Sequence, residues 1–123
     1  MTEIALEKLN VDELVGRFEN LCVEQYKADL RERSSEYNEL YAELDSVDAE
    51  LKRRGTDARL ALLRLYDHPN VQVRLKAGIR TLAVAPDSAK RLLQTIADSN
   101  RFPQAANAAL ILESFNSGSF VPE

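Results

Sequence analysis

Apolar residues in this chain recur at steps of three and four almost from end to end, and that spacing leaves few folds open. Val11, Leu14, Val15, Phe18, Leu21 and Cys22 follow one another this way, as do Tyr37, Leu40, Tyr41, Leu44, Val47 and Leu51. Such steps line one face of a helix, which turns once in about 3.6 residues. No stretch alternates apolar and polar residues between turn signals, as a half-buried strand would. Residue usage agrees: Leu (18) and Ala (15) far outnumber Val (8) and Ile (4), a bias towards helix. A chain of 123 residues is one domain's worth with a single core. The expectation is a single all-α domain over 1–123 of five or six helices, with loosely ordered ends at 1–10 and 116–123.

Stop and start signals place the helices. Asn10 caps a first long helix over 11–33, and Glu13 three positions on completes a capping box. Residues 2–9 add a frayed turn, with Ile4, Leu6 and Leu9 available to dock. Ser34 or Ser35 caps a second helix over 36–54, which ends on Arg53, Arg54 and Gly55: cations in the last turn, then a glycine. A helix over 57–66 leads to the turn Asp67-His68-Pro69-Asn70, and Asn70 caps the next helix, 71–84. Pro86 and Pro103 open the last two helices, to about Ala97 and Phe115. The helix at 71–84 is apolar on two sides, with Gln72, Lys76 and Arg80 as a narrow solvent stripe. It is the expected central helix.

Bulk properties exclude several classes. A single cysteine, Cys22, allows no internal disulfide and implies a reducing, cytoplasmic setting. The longest apolar run, Ala108 to Leu112, is far short of the roughly 20 residues of a membrane span. The formal charge is −4, with −6 over residues 1–55 and +2 over 56–123. An acidic chain argues against general binding to nucleic-acid phosphates.

A shift of 31 residues aligns the second half with itself: Asp67 with Asp98, Val71 with Phe102, Ala77 with Ala108, Gly78 with Ala109, Ile79 with Leu110. Helix pairs repeating at this period indicate a solenoid. Residues 65–82, Leu-Tyr-Asp-His-Pro-Asn-Val-Gln-Val-Arg-Leu-Lys-Ala-Gly-Ile-Arg-Thr-Leu, resemble the turn and second helix of a HEAT repeat. That resemblance implies a short right-handed superhelix and roles for Asp67, Val73, Arg74, Ala77 and Leu82, with the Asp and Arg bridging neighbouring repeats. Ala105 stands at the position of Arg74 in the second unit, so such a ladder stops there. A wider resemblance rests on Glu50-Leu51, Arg54-Gly55, Arg59, His68-Pro69-Asn70, Val73 to Ala77, Ala85-Pro86 and Pro103-Gln104-Ala105. These residues are similar to a small bacterial family, the domain of unknown function numbered two-zero-one-nine. It implies a HEAT- or armadillo-like fold and no reaction.

The inventory for chemistry is thin. A Cys22–His68 dyad would need a reactive thiolate on an apolar helix stripe, a poor place for one. No C-x-x-C, H-E-x-x-H or EF-hand spacing occurs. Glu43, Asp45 and Asp48 read as a solvated helix face. Lys52, Arg53 and Arg54 read as helix-end charges, with Glu50 paired to Arg54. The informative residues are polar ones near apolar stripes or helix ends: Gln25, Asn38, Glu50, Arg54, Arg59, His68, Asn70, Arg74 and Gln104. They form either a satisfied polar network or the lining of a binding groove.

The function expected is therefore a non-enzymatic protein-binding module without metal or cofactor, an inhibitor- or immunity-type factor being one form. One alternative is an enzyme or small-ligand binder with a pocket around Arg54, Arg59, His68 and Arg74. Another is nucleic-acid binding through Lys76, Arg80, Lys90 and Arg91. A homodimer through paired first helices is a fourth arrangement.

Overall fold

The structure is a computed structural model that describes residues 5–123. The expected docking of Ile4 and the ordering of the first four residues lie outside the described residues. Six α-helices form, α1 Val11–Leu30, α2 Ser34–Arg54, α3 Thr56–Leu60, α4 Val71–Thr81, α5 Pro86–Ala97 and α6 Gln104–Ser117. Short 3-10 segments cover Leu6–Lys8 and Ala61–Leu65. No strand occurs among the described residues, so the all-α expectation holds. The chain divides into two compact units, Met1–Ala61 and Leu62–Glu123.

In the first unit, α1 and α2 pair as a helical hairpin. The capping box at the start of α1 is complete: Glu13 N donates to Asn10 Oδ1 at 2.8 Å, and Asn10 N donates to Glu13 Oε1 at 3.0 Å. The buried stripe of α1, from Leu14 through Phe18, Leu21 and Cys22 to Ala28, meets Leu44, Val47 and Leu51 of α2. α1 ends at Leu30, earlier than its spacing predicts, because the backbone closes on itself. Glu32 adopts a left-handed φ of 55°, Arg33 N donates to Ala28 O and Glu32 N to Asp29 O. That is the double closure of a Schellman turn, with Glu32 where glycine is usual. The expected caps at Ser34 and Ser35 do not form. Both lie inside α2, and Arg33 at the cap position makes no side-chain capping bond. At the far end Gly55, with φ 105°, separates α2 from α3 in a single residue, a backbone open to glycine.

The expected helix at 57–66 splits into α3 and a 3-10 segment. Winding at three residues per turn aligns Leu62 with Leu65, and these two are its buried residues.

In the second unit, α5 packs on both α4 and α6. Asn70 caps α4, its Oδ1 accepting from Gln72 N at 2.8 Å. α5 carries a clean stripe of Ala89, Leu93 and Ile96. α4 is buried nearly all round, which bears out its central place, but its solvent stripe does not exist. Gln72 is 2% exposed and Lys76 8%, while Arg80 is half-buried. A helix covered on almost every side takes its polar residues into the interior with it. α4 and α5 approach closely at Gly78. A Cβ there would lie 3.2 Å from Leu92 Cδ2 and from Leu93 Cδ2. Replacing Gly78 by Val adds three carbons where the leucine tips already sit. Gly78→Val is expected to lower stability by about 1–3 kcal/mol, measured by urea denaturation, with the helix content of the folded state kept.

Candidate functional site

Five of the nine singled-out polar residues belong to the first unit. Gln25 is fully buried on α1. Asn38 is exposed, which corrects its placement among buried polar groups: α2 has no buried residue before Leu44, so its first two turns form the tip of the hairpin. Asn38 lies instead beside Asp29, Glu32, Arg33 and Tyr37 on a shallow cleft of about 170 Å³. That is under the roughly 300 Å³ of an ordinary small-molecule pocket. Arg59 is half-buried on α3.

Glu50 and Arg54 form a real cluster with Arg53. Glu50 Oε2 accepts from Arg54 Nε at 2.8 Å, and Oε1 accepts from Arg53 Nε at 3.1 Å. The second arm of Arg54 donates to the backbone oxygen of Leu6 at 3.0 Å, tying the 3-10 turn to the end of α2. The Arg53 and Arg54 guanidiniums hold the Glu50 carboxyl at about 2, well below its ordinary value. Arg54 is thus engaged in holding the chain together.

The acids of α2 turn away from one another. Asp48 is buried and lies 3.6 Å from Lys52, while Glu43 pairs with Arg17 of α1 at 3.5 Å. Among the described residues no three His, Cys, Asp or Glu side chains gather as metal ligands.

The other four residues belong to the second unit. His68 serves its own turn: Nδ1 accepts from Asn70 N at 3.0 Å, which fixes that nitrogen as the unprotonated one. Asn70 is the cap of α4. Arg74 is half-buried and its Nε has no hydrogen-bond partner among the described residues. Asp67 is exposed, and no ion pair joins it to Arg74 within this unit. Gln104 is buried, and its Nε2 donates to Gln72 Oε1 at 3.0 Å, an amide pair linking α4 to α6. The partner, Gln72, was expected in solvent. A further part-buried link joins Tyr66 Oη to Thr81 Oγ1 at 2.5 Å, and the Thr81 hydroxyl donates to Ala77 O at 2.8 Å. Burial pushes the Tyr66 phenol above its usual range.

Of the four residues expected to make a basic surface, Arg91 is exposed and Arg80 half-buried. Lys76 is buried, and Lys90 lies over the Phe115 ring at 5.8 Å.

The most unusual surface is the outer face of α6. Ala106, Ala109 and Leu110 point away from the buried side formed by Gln104, Ala105, Ala108 and Leu112. Phe102, just before the helix, is 68% exposed and Leu110 61%. Glu113 is the only charged residue of α6. The internal repeat gives these positions their meaning. Phe102 aligns with Val71, which is 4% exposed, and Ala109 aligns with Gly78, on which Leu92 and Leu93 rest. The face that α5 covers on α4 has its counterpart uncovered on α6. Phe102 and Leu110 were aligned in the sequence, but an alignment does not tell which copy is covered.

A family model described as a domain of unknown function (DUF2019) matches residues 12–116. The chain belongs to this family. It is similar to a solved structure, the crystal structure of the protein RPA1889 from Rhodopseudomonas palustris CGA009. The two are 40% identical, with a TM-score of 0.94 over 98% of this chain and 100% of that one. No curated protein matches. Membership of DUF2019 fixes the fold and brings no reaction with it. No helix among the described residues is long and apolar enough to cross a membrane.

Two measurements test these polar arrangements. Because the folded Glu50 carboxyl titrates near 2 and an unfolded one near 4.5, its contribution is complete above about 4.5. It fades as pH falls from there towards 2. The stability difference between wild type and Glu50→Gln, followed by thermal melts, is expected to shrink over that window and to be flat above it. For the amides, a double-mutant cycle of Gln72→Ala and Gln104→Ala is expected to show coupling of about 0.5–3 kcal/mol in urea denaturation.

Proposed function

We propose that this DUF2019 protein is a non-enzymatic protein-binding module, and that it works by docking the uncovered face of α6 onto an apolar helix of a partner protein. The observation that carries this reading is the contrast between the two copies of the internal repeat. Small residues at Gly78 and Ala109 each leave a flat place on a helix. On α4 that place is filled by two leucines of α5, and on α6 it is open. The solvent-facing side of a surface helix ordinarily carries polar and charged residues. A face of Ala106, Ala109, Leu110 and Phe102 with one charge departs from that rule in the way an interface does.

The partner helix takes the position a following helix of the repeat would take. It needs large aliphatic residues for the Ala109 flat and a basic residue opposite Glu113. An inhibitor- or immunity-type role in the cytoplasm is the form of this activity most in keeping with a small, rigid, helical chain. The engagement of Arg54 by Glu50 and Leu6 O, and of His68 by Asn70, supports a non-catalytic reading.

The test is site-specific photo-crosslinking in the native host. A photoreactive residue at position 110 is expected to yield discrete protein adducts, and one at Ser46 on α2 is not. Leu110→Asp, at an exposed site, is expected to change stability by no more than about 0.5 kcal/mol while abolishing recovery of the same partner. Equal labelling from both positions, or a partner unaffected by Leu110→Asp, would overturn the reading.

A further inference from the structure

The outer flank of α1 has no part in that function. Gly16, Glu19, Val23, Tyr26 and Leu30 follow one another at steps of three, four, three and four, the spacing of a helix–helix seam. The first four are half-buried and Leu30 is 67% exposed. α1 packs chiefly on α2 through its other side. At Gly16 an added Cβ would meet nothing within 4 Å, so no neighbour among the described residues fills the place of its missing side chain. The flank therefore has a notch near one end and a projecting leucine at the other.

We propose that a second copy of this chain covers this flank, the two α1 helices pairing antiparallel about a two-fold axis at Val23. The register carries the proposal. Val23 is midway between Gly16 and Leu30, so turning one helix over about Val23 brings Leu30 of each copy to the notch at the partner's Gly16. The side chain that one position lacks is supplied by the other, twice, as an isologous interface requires.

The flanking residues agree with the same operation. Tyr26 comes beside the partner's Glu19 on one edge, where a phenol donates to a carboxylate. Arg31 comes beside the partner's Glu13 on the other edge, a pairing of opposite charges. The acidic first turn of each α1, Asp12 and Glu13, faces the Lys27 and Arg31 end of its neighbour, and the helix dipoles oppose. Parallel pairing would set Gly16 on Gly16 and Leu30 on Leu30, leaving both notches empty and like charges together. The interface is one helix long, well under the roughly 800 Å² per partner of a standard-size interface, so association is weak and concentration-dependent.

The experiment is analytical ultracentrifugation of the full chain up to about 1 mM, joined to disulfide trapping. Wild type is expected to move from monomer to dimer over that range, and Leu30→Asp, with its melting temperature checked, to weaken association by about tenfold or more. Val23→Cys is expected to form a disulfide-linked dimer on oxidation, since two residues at the dyad face each other across the seam. Wild type, whose only cysteine is the fully buried Cys22, supplies the control without a crosslink. A monomer at every concentration overturns the proposal. So does a dimer that survives Leu30→Asp without a Val23→Cys crosslink. A dimer lost in Leu110→Asp instead would show that a second copy occupies the α6 face, overturning the α1 seam while leaving α6 a docking surface.

Discussion

The second unit depends on one close approach, that of α5 to α4 at Gly78. Without a side chain there, Leu92 and Leu93 lie directly against the α4 backbone, at a distance a Cβ would already crowd. Dispersion contacts fall off steeply with separation, so bringing two helices together by the width of a methyl group strengthens every pair of side chains along the seam. α5 then offers its opposite side to α6, and the buried Gln72–Gln104 amide pair fixes how far α6 slides along α4. A hydrogen bond between two buried amides contributes modestly to net stability. Its larger effect is negative: any other register leaves two buried amides unsatisfied.

The elements that were legible in the sequence are those written in local chemistry. Asn10 with Glu13, Asn70 before Val71, and Arg53-Arg54-Gly55 each satisfy or terminate backbone hydrogen bonds within a turn, and each behaves as its residues require. Apolar stripes on α1 and α2 were equally readable, since one covered side gives one stripe. α4 defeats that logic. Covered almost everywhere, it buries Gln72 and most of Lys76, and periodicity reads such residues as solvent-facing because it knows only polarity and spacing. Asn38 fails in the opposite sense. It lies next to a stripe, but the stripe has not yet found a partner at the tip of the hairpin, so proximity to apolar positions brings no burial. The Schellman closure at Glu32 was hidden because the residue in the left-handed position is not glycine.

The polar residues of the candidate set are mostly consumed by construction. Arg54 bridges a carboxylate and a backbone carbonyl, His68 accepts from its own turn, and Gln104 holds Gln72. Residue types that suggest chemistry in a sequence are thus spent, in this fold, on helix ends and helix register. Gln104 was singled out in the sequence as a polar residue at a helix end; what the sequence withheld was its partner, thirty-two residues away.

What the protein leaves unspent is apolar surface. Exposed alanines cost little, because each hides few carbons from water when covered and exposes few when open. Ala106 and Ala109 therefore keep a helix face flat and soluble, while Phe102 and Leu110 at its margins carry most of the apolar area to be gained on contact. The same division is seen where contact has been made. Gly78 supplies the flat on α4, and Leu92 and Leu93 supply the area. The packing that α5 completes on Gly78 of α4 has no counterpart at Ala109 of α6 among the described residues. How strongly such a face is held when covered depends on the area its large side chains gain, which Phe102 and Leu110 set here.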